Sequence, residues 1–200
     1  MEIMKHIKQI EQYICDNFEK LGWDNPVEEG HLDEYEKVSG VSKDEITAFE
    51  KKYNIDLPDD FKELYKYKNG SEFFCILPVA VDDMKMSFCL MSMKEIDEAK
   101  KYFQDRDTLL SDYLTPQEIE EMRDKRIKPY LFNKKWFPFA ECCNCCYLML
   151  DFDPDAAGKK GQIICYIHDP DRIFYVTSSI SDLISKVIRD LYSIDYHREY

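Results

Sequence analysis

Five consecutive positions, Cys142-Cys143-Asn144-Cys145-Cys146, hold the densest reactive chemistry in the chain. They contain two overlapping CxxC spacings, Cys142 with Cys145 and Cys143 with Cys146, and such a pair can hold zinc or cycle between dithiol and disulfide. A structural zinc site needs a second, distant pair. Cys15, Cys75, Cys89 and Cys165 instead stand singly in apolar runs, where cysteine behaves as a small hydrophobe. In a turn entering a strand, Cys143 and Cys145 point one way and Cys142 and Cys146 the other, so four thiolates do not converge. Plain turn and strand residues are expected here, with zinc binding or a regulatory thiol pair as alternatives. Cys165 and His168, three apart on one predicted strand, face opposite ways and make a poor nucleophile and base. Asp151, Asp153 and Asp155 begin like a calcium loop, but Ala156 and Gln162 occupy the positions that need Gly and Glu. His6, His31 and His197 have no ligand spacing, and no Gly-rich phosphate loop, GxSxG or HExxH occurs. No catalytic residue, cofactor or metal site is expected.

The charge points to a protein partner. Lys plus Arg number 27 against 40 Asp plus Glu, a formal net charge of -13, which repels nucleic acid and anionic lipid and attracts basic surfaces. The acids are uneven. Glu28, Glu29, Asp33, Glu34 and Glu36 run without an intervening Lys or Arg, and Asp151, Asp153 and Asp155 share one loop. With Glu141 beside the cysteines, these nine are the candidate partner-binding residues. Arg123 to Lys135 holds Arg123, Lys125, Arg126, Lys128, Lys134 and Lys135 against Asp124. No run approaches the roughly 18 apolar residues of a membrane helix, and Met1 to His6 lacks the apolar core of a signal peptide. A cytoplasmic protein with all eight cysteines as thiols is expected.

Around these residues the chain lays out its elements. Ile3, Ile7, Ile10, Ile14, Phe18 and Leu21 recur at three and four, predicting a helix over about 1–22. Trp23 to Gly40, with Pro26, Gly30 and many acids, reads as surface loop. Ser42 with Glu45, Ser92 with Glu95, and Thr115 with Glu118 are capping boxes that open three helices, and Leu57-Pro58 opens another. Phe74 to Val79, Met86 to Met91, Tyr147 to Phe152, Gln162 to Ile167 and Ile173 to Thr177 read as strands. The fourth follows the third across the acidic loop, describing a long-looped hairpin that looks like a recognition edge. Pro138 predicts a short edge segment for Trp136 to Phe139, with Trp136 itself in the core. Ser181 opens a last helix. The order predicts one α+β domain with a mainly antiparallel, curved sheet and helices packed against it.

Several of these motifs carry a family resemblance. Trp136-x-Pro138-Phe139-Ala140, a turn, a strand ending in Asp151-x-Asp153-Pro154, and Gly161-Gln162-Ile163-Ile164 are similar to the signature of the SUKH superfamily, the fold of cell-wall assembly regulators and bacterial immunity proteins. Val41-Ser42-x-x-Glu45-Ile46, Leu57-Pro58-x-Asp60-Phe61, Asn69-Gly70 and Ile76-Leu77-Pro78 agree with its opening helices and first strand. The resemblance spans about residues 40–185, with about 105–130 as a helical insertion. The family pattern shows small residues, often glycine, where the cysteine run stands. What the resemblance implies is a non-catalytic protein that binds and neutralises a cognate toxin. A regulatory scaffold of the cell-wall type is the alternative, and a thiol- or zinc-dependent protein built on Cys142 to Cys146 a third. Oligomeric state is not legible.

Overall fold

The computed structural model describes residues 2–193. Four helices come first: α1 (Glu2–Leu21), α2 (His31–Lys37), α3 (Lys43–Tyr53) and α4 (Asp59–Tyr67). Next come strands β1 (Leu77–Val81) and β2 (Met84–Leu90), helix α5 (Met93–Gln104), the two-residue strand β3 (Thr108–Leu109) and α6 (Pro116–Met122). The chain closes with β4 (Tyr130–Phe132), β5 (Trp136–Cys142), β6 (Cys146–Asp151), β7 (Gln162–Ile167), β8 (Arg172–Thr177) and α7 (Ile180–Ser193). Six strands form one curled antiparallel sheet in the order β1-β2-β5-β6-β7-β8, and β3 pairs with β4 apart from it. The α+β expectation holds.

The local signals act as written. Ser42, Ser92 and Thr115 each cap a helix and donate their own backbone N–H to the carboxylate of the Glu three residues on, and Asn54 closes α3 at φ 51°. Alternation then sorts the strands between two cores. Leu148, Leu150, Ile163 and Cys165 face a main core shared with α1, α3, α4 and α7, while Met149, Ile164, Tyr166 and Trp136 face a second one with Phe103, Ile127 and Phe132. The segment 105–130, expected as an insertion, therefore supplies cover for the second face of the sheet. Helix α7 lies on the edge strand β1, where Asp190 accepts the Ala80 N–H at 3.1 Å and so occupies an edge donor.

Four expectations are corrected. Residues 31–37 are helical, not loop, for a tertiary reason given below. The β6–β7 hairpin is interior to the sheet and so is not an edge; β1 and β8 are the edges. Pro138 lies in a seven-residue strand rather than a short segment: its far half, Ala140 and Glu141, is internal between β2 and β6, while Trp136 to Pro138 pair with β6 alone, and a register shift follows the proline. Finally, Cys75 and Cys89 are joined by a disulfide, because the register that opposes Leu77 to Phe88 brings these two neighbours together. Not all eight cysteines are thiols.

Candidate protein-binding face

Helix α2 is too short to be stable alone, so something must tie it to the rest of the fold. Tyr35 does. Its ring is 2% exposed, lies 5.1 Å from Phe74, and its hydroxyl donates to Glu11 of α1. Burial and then the Glu11 carboxylate push the phenol far above its ordinary range. Lys68, buried at the end of α4, completes the anchor. Its ammonium donates to the carbonyls of Tyr35 at 2.7 Å, Val38 at 2.9 Å and Glu36 at 3.3 Å, and sits 4.3 Å from the Tyr35 ring. These carbonyls belong to the last turn and cap of α2, where the Tyr35 carbonyl also accepts the Val38 N–H, and a cation there complements the helix dipole. Burial holds the Lys68 ammonium below its usual pKa, opposed by Glu11 and Glu36.

With Tyr35 turned inward, the acids turn outward. Glu28, Glu29, Asp33, Glu34 and Glu36 are all exposed, and among the described residues none forms an ion pair. Beside them stand two apolar side chains open to solvent, Val27 at 56% and Phe73 at 70%. His31 of α2 lies 5.6 Å from the Phe73 ring, so helix and loop form one surface. Exposed apolar anchors ringed by like charges on a firmly held element have the anatomy of a protein-binding patch. Charge alone pointed to the acids; Val27 and Phe73 come from the structure, since a lone exposed aromatic is not distinguishable from a core one in sequence.

The acidic loop is different. Asp151 is fully buried and is removed from the candidate contacts, because it is the hub of a hydrogen-bond network. One carboxylate oxygen accepts from Trp136 Nε1 at 3.1 Å and the Asp153 N–H at 2.8 Å, the other from Gln162 Nε2 at 2.9 Å. Gln162 Nε2 also donates to the Arg126 carbonyl at 2.8 Å, tying in the segment that covers this face. Burial raises Asp151 to about 6 against the pull of these donors. Gly161, at φ +83°, donates to the Asp151 carbonyl at 2.7 Å, and a Cβ there would meet Pro58 at 2.9 Å. The Trp-x-Pro, Asp-x-Asp-Pro and Gly-Gln motifs thus meet at one internal latch. Asp153 accepts from Lys128 at 2.7 Å and Asn133 at 3.1 Å, and Asp155 pairs with Arg123 at 2.5 Å. For Asp153 burial opposes ionisation but Lys128 and Asn133 keep the carboxyl low; for Asp155 the Ala156 N–H and Arg123 do so. The basic stretch 123–135 neutralises this loop from within the chain. Glu141, half-buried in β5, is raised by burial and then by Glu95.

The cysteine run is the β5–β6 turn. Cys142 pairs with Cys146, the Cys145 N–H donates to the Cys142 carbonyl at 3.2 Å, and Cys143 and Asn144 take φ 54° and 56°. Two left-handed residues between paired strands make the hairpin turn that suits Asn-Gly. Burial pushes the Cys142 thiol up to about 12 and Cys146 up to about 11, so both are protonated and weakly nucleophilic at neutral pH. Among the described residues no three His, Cys, Asp or Glu side chains are grouped to hold a metal ion. Cysteine in the left-handed region carries a steric cost, so C143N/N144G is expected to stabilise the fold by about 1 kcal/mol, or about 2–4 °C in Tm. Thermal unfolding followed by circular dichroism checks it; an unchanged or lower Tm would show that the cysteines contribute something the turn itself does not need.

The model of the SMI1 / KNR4 family (SUKH-1) matches residues 40–186. The chain belongs to this family. No curated protein matches it. SUKH proteins act in protein–protein interactions and are generally non-catalytic. The family match begins after α2, so the SUKH body supplies Lys68 and Phe73 while the acidic helix is carried ahead of the matched region. Among the described residues no helix is long and apolar enough to cross a membrane.

Proposed function

We propose that this SUKH protein is an immunity protein, which binds a cognate toxin domain through the α2 face and blocks its working surface. The observation that carries this reading is the arrangement of that face: five exposed acids that form no ion pair among the described residues, on and just before a helix fixed by Tyr35 and Lys68, with Val27 and Phe73 open to solvent beside them. An anionic patch of this kind steers a basic partner, such as a nuclease domain, into fast, salt-sensitive association, and the apolar pair supplies contact after docking. A rigid helix also avoids the ordering cost that a loop would bring to the complex.

The decisive experiment is protection. The variable C-terminal domain of a secreted protein encoded immediately upstream is induced in bacterial cells with and without this chain. Survival only with the chain, and a one-to-one complex of the two purified proteins, is the expected result. Full toxicity in the presence of the chain would reject the reading, and absence of any such upstream domain would shift the weight to a regulatory scaffold.

A further inference from the structure

A cluster of lysines lines a cavity away from the α2 face. A cavity of about 370 Å³ opens between the C-terminal end of α3, α5 and the β5–β6 end of the sheet. Lys100, Lys134, Lys135 and Lys160 line it, and no Asp or Glu does. For a chain of net charge -13 this is a reversal of the local field. The apolar part of the wall is aromatic: Tyr53, Phe137 and Phe152. Phe137 meets the other two rings edge-on at 5.2 and 5.3 Å, so the wall is held in place.

Lys100 is the telling residue. Its side chain is 2% exposed, yet among the described residues no carboxylate forms an ion pair with it. It donates to the carbonyls of Lys134 and of Trp136, the latter at 3.0 Å, and rests 4.2 Å from the centre of the Phe137 ring. Two carbonyls occupy two of its three N–H groups. Burial pushes its pKa down to about 8, with Asp107 opposing. A buried cation held without a counter-ion beside an open cavity is costly unless something negative enters.

The charge count narrows what that is. Lys134 pairs with Asp107 at 2.7 Å and Lys135 approaches Asp153 at 3.8 Å, whereas no ion pair among the described residues engages Lys160. Lys100 at the floor and Lys160 at the mouth thus form no ion pair among the described residues, although Asp107 and Asp56 lie within electrostatic reach of them. Ammonium groups bind phosphate as point charges, and rings beside them accept a flat body. The volume lies in the range of small-molecule sites.

We infer that this cavity is a binding site for a dianionic phosphate monoester carrying a flat ring, of the nucleoside monophosphate class. The phosphate sits among the lysines and the ring against Phe137 and Phe152. This site is independent of the toxin-binding reading, and either can fail alone.

Calorimetric titration of the full chain with adenosine monophosphate, inorganic phosphate and adenosine tests it. Adenosine monophosphate should bind, inorganic phosphate should compete for the same site more weakly, and adenosine should bind about tenfold worse than the monophosphate. Because Lys135 and Lys160 are exposed, K135E/K160E should fold and lose affinity by at least about tenfold, while E28K/E29K should bind as the parent does. No binding of either phosphate compound, equal binding of adenosine, or an unaffected K135E/K160E variant would overturn the inference. So would tighter binding of a glutamate-rich peptide, which would assign the cavity to a partner's carboxylates.

Discussion

Asp151→Ala is expected to cost about 4 kcal/mol of folding stability, or about 10 °C in Tm, the largest loss from any single substitution proposed for this chain. The Trp136 indole, the Gln162 amide and the Asp153 backbone N–H all end on its carboxylate, so alanine leaves three buried donors without acceptors. Each such donor carries about 1–3 kcal/mol of desolvation, and partial relaxation of Gln162 recovers some of it. Asp151→Asn keeps the oxygen that accepts from Trp136 and Asp153 but turns an amide N–H toward the Gln162 donor, so it should fall between parent and alanine. Denaturant unfolding followed by tryptophan emission measures both. A D151A midpoint matching the parent would show that the signature motifs do not form a latch.

The same residue sets a pH signature. Its pKa is about 6 in the folded chain, against 3.8 for the free side chain. Between those values the folded state holds a proton that the unfolded state has released, so stability rises as pH falls from about 6 toward 4 and declines again as pH rises. Across the window the shift corresponds to about 3 kcal/mol. Asp153 and Asp155 act in the opposite sense, because their depressed carboxyls lose their stabilising contribution as the solution becomes more acidic than about pH 4. Stability should therefore peak near pH 5, and in D151N the rise between pH 7 and pH 5 should vanish. A parent protein whose stability falls monotonically as the pH is lowered from 7 would contradict the raised pKa of the buried Asp151.

Local features of this fold were legible and long-range ones were not, for a physical reason. The capping boxes at Ser42, Ser92 and Thr115 need only residues three apart, and the left-handed cap at Asn54 needs one. Helix α2 depends on Glu11 and Lys68, which lie 24 residues before Tyr35 and 33 after it. No window along the chain contains that dependence. The Cys75–Cys89 bond likewise follows from strand register rather than from apolar context. Asp151 was open to a better reading. The hairpin register sets it opposite both Trp136 and Gln162, so three polar-ended side chains stand abreast on adjacent strands. An acid flanked by an indole and an amide on a covered face has donors waiting, whereas Asp153 and Asp155, beyond the strand, belong to the loop. For the proposed binding face, the run from Glu28 to Glu36 was visible as five acids with no Lys or Arg among them. Charge could not separate those acids from the loop acids, which Arg123 and Lys128 neutralise across the fold.

That separation makes the electrostatic part of the proposed function testable within one protein. Reversing four acids in E28K/E29K/D33K/E34K should weaken toxin-domain binding by about 100-fold, which is about 2.7 kcal/mol, chiefly through slower association. Folding stability should fall by about 1 kcal/mol, because these side chains are exposed and make no ion pair among the described residues but Asp33 and Glu34 stand in the first turn of α2, where cations oppose the helix dipole. For the parent complex, raising salt should lower the association rate steeply, and in the reversed variant that dependence should flatten or invert. Phe73→Ala should act in the other kinetic limb. It removes apolar contact without changing the field, so dissociation should speed up by about tenfold while association is preserved. Surface plasmon resonance at two ionic strengths separates the two effects. If D153N/D155N slowed association as much as the α2 reversal does, the acidic loop rather than α2 would be the docking surface, despite its internal pairing with Lys128 and Arg123.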